Sequence, residues 1–165
     1  MKKIIRYNIF ESNSSSCHTI SVGKRRSIND YYHPDEVIMI ELDEYGWAGD
    51  PLYGFYSKLA YAMSMILHTE YPGYSSYDDD FTVDQEKLEE LNGYKILLEA
   101  IKKHGDCEKI VIKKRNAFYP YGYIDHQSYE DYSSLADFLA DWNVDAERYL
   151  FDDTVVVYID NDNHY

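Results

Sequence analysis

The residues best equipped for chemistry lie in ESNSSSCH, Glu11 to His18, which puts seven polar side chains and one thiol into eight positions. No Gly, Pro or Lys is present to explain the stretch as a linker. Asn13, Ser14, Ser15 and Ser16 are suited to hydrogen-bond an anion such as a phosphate, or one another, without adding charge. Glu11 and His18 add an acid or base, or metal ligands. Cys17 is a nucleophile if a neighbour lowers its pKa, and otherwise a small buried hydrophobe. The plain alternative for the whole stretch is a turn built from local side-chain-to-backbone bonds.

A second island, IDHQS, holds the only Asp-His pair, Asp125 and His126, followed by Gln127 and Ser128. On a strand, Asp125 and His126 point to opposite faces, so each has to find a partner across space, with His18 the natural choice. The alternative is a turn with an exposed histidine. A third group, Asp160 and Asp162, follows the last apolar run at i and i+2. Carboxylates at the end of a central strand suit Mg²⁺ or Mn²⁺, whereas a solvated acidic tail is the bland reading. An EF-hand is excluded because its Gly and twelfth-position Glu are absent. If the islands converge, His18, Asp125 and His126 are the candidate catalytic groups. Glu11, Asn13, Ser14, Ser15, Ser16, Gln127 and Ser128 would bind the ligand, and Asp160 and Asp162 a metal activating water against a phosphoester.

The run Phe10, Glu11, Ser12, Asn13, Ser14, Ser15, Ser16, Cys17, His18 resembles the F-E-[ST]-N-S-S-S-x-H motif of an uncharacterised family of small proteins from tailed phages and bacterial genomes. GYIDHQS, Gly122 to Ser128, and the Asn/Asp-rich ending are similar to the same family. Thr and Ser are commoner in that family where Ser12 and Cys17 stand, which weakens a catalytic role for the thiol. The resemblance covers both ends of the chain and implies a phage or mobile-element setting, without a mechanism.

The elements that must position these residues follow from apolar spacing. Strands are expected at Ile4–Phe10, Thr19–Val22, Val37–Leu42, Lys109–Lys114 and Thr154–Ile159. VIMIEL reads as mostly buried, and TVVVYI as central because it is nearly all apolar. Leu52 to His68 has helical spacing with one buried face. Thr82 and Gln85 form a capping box for a second helix that runs towards Gly105 and is weakened or split at Gly93. Ser134 and Asp137 cap a third helix, with a short one near Ala146–Phe151. The loop 71–80 is acidic and Tyr-rich and is expected to be mobile. The sum is a single α+β domain, 1–165, of about five mainly antiparallel or mixed strands with about three helices.

Composition limits the function further. The 165 residues are 45% hydrophobic and 16% aromatic, which supports an ordered core. Tyrosine, at nineteen against six phenylalanines, either stands in for Phe or marks half-buried surfaces and interfaces. A net charge of −14, from 30 acidic and 16 basic residues, argues against general nucleic-acid binding. Solubility is the default meaning of that charge, with a metal site or a basic protein partner as the sharper ones. Two cysteines form no disulfide framework, and no run is long enough for a signal peptide or membrane span, so a cytoplasmic protein is expected. GxGxxG, GxxxxGK[ST], HExxH and GxSxG are absent. Two functions remain: the preferred one, a pocket for a nucleotide or other phosphate ligand, with or without hydrolysis, and as its alternative an acidic inhibitor that mimics nucleic acid on a basic host protein. A ligand-sequestering protein combines the pocket of the first with the lack of turnover of the second.

Overall fold

Ten consecutive residues of one helix, Lys58 to Leu67, are buried, and the rest of the molecule is arranged around them. The computed structural model describes residues 16–23, 35–46 and 51–161. Among these, the helices are α1 (Phe55–Thr69), α2 (Gln85–Glu90), α3 (Asn92–Lys102), α4 (His126–Tyr129), α5 (Leu135–Asp141) and α6 (Ala146–Phe151). The strands are β1 (Ser16–Val22), β2 (Val37–Glu41), β3 (Glu44–Tyr45), β4 (Lys109–Lys113), β5 (Tyr123–Ile124) and β6 (Val155–Asn161). Helices and strands thus mix in an α+β arrangement with one contiguous core. The expected strand Ile4–Phe10 lies outside the described residues.

The one-faced reading of the first helix is corrected. Ala60, Tyr61, Ala62 and Met65 fill the sides between the expected stripe positions, so α1 is buried all round and takes the centre. Helices α3, α5 and α6 pack against it, as do α4, β2 and β5. The 82–105 helix breaks at Leu91, whose extended backbone (ψ 142°) ends α2 and opens α3. Its cap is Asp84, not the Thr82 of the sequence pattern, and Asp84 accepts from the Glu86 and Lys87 amides. Ser134 caps α5 as its spacing suggests, accepting from Asp137 N.

The expectation that the last strand is central to a larger sheet is corrected: among the described residues β6 belongs to a two-stranded sheet with β1. It pairs antiparallel with β1, and on its other edge Leu52 exchanges both backbone hydrogen bonds with Val157. Val155 and Val157 are fully buried. The other two ladders are parallel, which requires long crossovers, and α1 to α3 supply the first. Strands β2 and β3 lie in line along the chain. They pair first with β4 and then with β5, while residues 114–122 make an excursion between the two partners. Arg115 N donating to Pro120 O closes that excursion. The Arg115 guanidinium reaches Leu42 O (2.6 Å) and Asp43 Oδ1 (3.1 Å), at the break in the ladder. Strand β2 is not mostly buried. It alternates, with Met39 54% exposed, because its pairing with β4 leaves one face outside the core.

Candidate functional site

The elements bearing the two polar islands adjoin. Helix α4 begins at His126 and lies along β1, with Cα atoms of the two elements within 8 Å. In the β1–β6 ladder Ser16 pairs with Asn161, Cys17 with Asp160 and His18 with Ile159, so the strand carrying Asp160 joins the same neighbourhood. Ser16, Cys17, His18, Asp160 and Asn161, with His126 and Gln127, enter as backbone. Glu11, Asn13, Ser14, Ser15 and Asp162 lie outside the described residues.

One expectation at the second island is corrected. Asp125 and His126 do not alternate along a strand, because the ladder ends at Ile124. Asp125 N makes the final bond to Tyr45 O (2.8 Å), and Asp125 O then accepts from Ser128 N (2.9 Å) as the chain turns into α4. Gly46 permits this junction: a Cβ there would stand 2.7 Å from the Asp125 Cβ, and its φ of +142° is one side chains rarely adopt. Ser128 is buried, at 9% exposure. Among the described residues no three His, Cys, Asp or Glu side chains gather where they could hold a metal ion.

What holds the junction in place is His68, at the last turn of α1. Its Nδ1 stands 2.8 Å from Ser64 O and its Nε2 3.3 Å from the Ile124 amide. One nitrogen donates and the other accepts, so the ring is neutral. Burial pushes its pKa down to about 4, against a smaller opposing effect of the Ser64 carbonyl. Rings of Tyr74, Tyr123 and Tyr129 surround it.

Beyond His68 the tyrosines form a surface that sequence reasoning did not assemble. Tyr119 and Tyr123 stack with centroids 4.6 Å apart and planes 19° apart. Tyr77 stands edge-on to both, at 5.5 and 6.1 Å, and Phe118 edge-on to Tyr119 at 4.8 Å. Tyr77 is 66% and Phe118 73% exposed. The 71–80 loop that carries Tyr77 is tied down from below. Tyr74 Oη donates to Tyr121 O and Gly122 O, and Tyr71 Oη accepts from Asp84 N. Asp78, Asp79 and Asp80 form its exposed tip.

The electrostatics of this surface are negative. Desolvation first, then the Tyr77 hydroxyl and the Asp125 carboxylate, push the Tyr123 phenol above its ordinary pKa. Desolvation, Tyr77 and Glu44 do the same to Tyr119. Tyr129 is raised by desolvation, then by Glu130, Tyr77 and Asp125. The available signal in the sequence was the pair of turn-prone aromatic segments, YPGYSSY and AFYPYGY. Nothing local shows that they meet.

A second polar cluster is buried between α1 and the α6–β6 turn. Lys58 Nζ donates to Asp152 O and Val155 O at 3.1 and 3.2 Å. Burial lowers its pKa to about 8, with Asp153 and Asp152 opposing. Asp152 accepts from Arg148 Nε (2.9 Å) and from Thr154 N and Oγ1. These bonds join three elements to one another, which is structural work. Comparison with protein-family models, with curated proteins and with solved structures finds no match to this chain.

Proposed function

We propose that the chain is a non-enzymatic binding protein whose acidic, tyrosine-rich face occupies a basic surface on a partner protein. The observation that carries this reading is the exposure of Tyr77 and Phe118 on a stacked Tyr119–Tyr123 base, beside the Asp78–Asp80 tip. Large exposed aromatics grouped together mark interaction sites more than scattered ones do. Tyrosine adds contact area at low entropy cost and is enriched at interfaces. Carboxylates beside rings imitate the phosphates and bases of nucleic acid, and the net charge of −14 steers such a surface towards a basic groove. In a phage or mobile-element setting this would be an anti-defence protein acting in the host cytoplasm.

The test is affinity for a defined cationic protein, such as a core histone, measured by calorimetry. Tyr77→Ala together with Phe118→Ala, and separately Asp78, Asp79 and Asp80 changed to Lys, should each weaken binding by about tenfold or more. Affinity unchanged in both variants overturns the reading.

A second reading is favoured by the adjacency of α4, β1 and the end of β6. In it, His18, Asp125 and His126 border a site for a small phosphate-containing ligand such as a nucleotide. Mg²⁺ or Mn²⁺ would be held through Asp160 and Asp162, and the ligand either hydrolysed or sequestered intact. The carboxylates Asp125 and Glu130 around Tyr129 oppose a bare phosphate there, so this reading needs the metal. Nucleotide affinity, measured with and without Mg²⁺, should disappear in His18→Ala and His126→Ala while the melting temperature holds; affinity retained in both removes it.

A further inference from the structure

Resting on the reading of a basic protein partner, we infer that this face selects arginine over lysine, with Glu44 and the Tyr119–Tyr123 stack as the arginine subsite. In the β3–β5 ladder Glu44 pairs directly with Tyr123, so an exposed carboxylate stands beside the tyrosine on the next strand. Tyr123 in turn stacks on Tyr119 with centroids 4.6 Å apart, so the carboxylate pairs with the strand that carries one ring of the stack. Asp125 acts on Tyr123 from the far end of β5. A ring face flanked by carboxylates fits a guanidinium. That group lies flat on an aromatic plane while its N–H fork meets a carboxylate in two parallel bonds. An ammonium is a compact, strongly hydrated charge and gains only the Coulomb part.

The neighbouring acid is already taken. Asp43 is paired with Arg115 of this chain at 3.1 Å, and Lys114 Nζ is bound to Asp79 O at 3.1 Å. These two cations sit at the border, beside the exposed Glu44 and Asp78–Asp80 side chains. Phe118, edge-on to Tyr119 and the most exposed ring of the group, forms the outer wall of the subsite.

The experiment compares two fluorescent peptides of equal length and charge, one alternating Gly and Arg and one alternating Gly and Lys, by polarisation at about 0.15 M salt. The arginine peptide should bind about tenfold tighter. Glu44→Gln, an exposed change, should reduce the preference to about threefold or less, and Phe118→Ala should weaken the arginine peptide more than the lysine one. Equal affinities for the two peptides overturn the arginine selectivity and leave the basic-partner reading standing. Binding of neither peptide, nor of the histone, removes that reading itself. A preference unaltered by Glu44→Gln overturns the assignment of the subsite.

Discussion

A proton on His68 would break a hydrogen bond that joins α1 to the entrance of α4. Nε2 accepts from the Ile124 amide, and a protonated ring can only donate there. Burial holds the folded-state pKa at about 4, below the ~6.5 of an unfolded histidine. Between these two values the unfolded chain binds the extra proton, so stability falls as pH drops through the window and this contribution levels off below about 4. The loss from this group is about 3 kcal/mol. His68→Gln should cost about 1–3 kcal/mol at pH 7 and flatten the fall between pH 6.5 and 4 relative to the wild type. Parallel pH dependences of urea unfolding in the two proteins would exclude His68 as the coupled group. Lys58 acts with the same sign at higher pH. Its folded pKa of about 8 lies below the ordinary 10.5, so stability rises with pH between these values and is level beneath them. Lys58→Met should abolish that rise, and should cost about 2 kcal/mol at pH 7 by leaving the Asp152 and Val155 carbonyls short of a donor. Neither residue stood out in the sequence. Lys58 interrupts an apolar helix as any surface lysine would, and two of the three ring contacts of His68, Tyr123 and Tyr129, come from elements distant in the chain.

The elements were more legible than their pairing. The apolar runs at 37–42, 109–114 and 154–159 correspond to β2, β4 and β6, and the short helix 146–151 to α6. Helix ends shifted because Asp84 is a better cap than Thr82, and because α1 starts three residues after Leu52, which serves β6 instead. The parallel ladders could not be read, since their partners are separated by the whole α1–α3 crossover. The 114–122 excursion depends on Gly122, whose φ is +78° and whose missing Cβ would meet Leu42 Cβ at 2.7 Å and Asp43 O at 2.9 Å. Gly73 has a similar φ of +72° and nothing within 4 Å of where a Cβ would stand. Gly73→Ala should therefore lose about 1 kcal/mol from backbone strain alone. Gly122→Ala should lose about 3 kcal/mol or more, because clash adds to strain. Urea unfolding of both variants separates the two terms, and equal losses would mean that the ladder opens at Leu42 without cost.

At the scale of the whole molecule, composition pointed to the right materials without their arrangement. Nineteen tyrosines and a charge of −14 announce a polar, aromatic, acidic surface. Which tyrosines are core and which are surface depends on the fold: Tyr61, Tyr94 and Tyr149 are buried, whereas Tyr77 is exposed. The candidate catalytic groups were legible only as a list, because five of the eight residues of the first island lie outside the described residues and Asp125 changed from strand to helix entrance. The same charge predicts two responses of opposite sign to salt. Self-repulsion among the excess carboxylates works against the compact state, so raising salt from about 10 mM to about 0.5 M, which shortens the screening length from roughly 30 Å to about 4 Å, should raise Tm by a few degrees. Steering towards a basic partner depends on that same unscreened field, and affinity for the cationic probes should fall by about tenfold over the same range. What survives at high salt is the aromatic share, and Phe118→Ala should remove most of it while leaving the rise in Tm intact, since Phe118 is an exposed ring outside the core. A complex that strengthened with salt would instead be held by apolar burial, and the acidic loop tip would then be there for solubility alone.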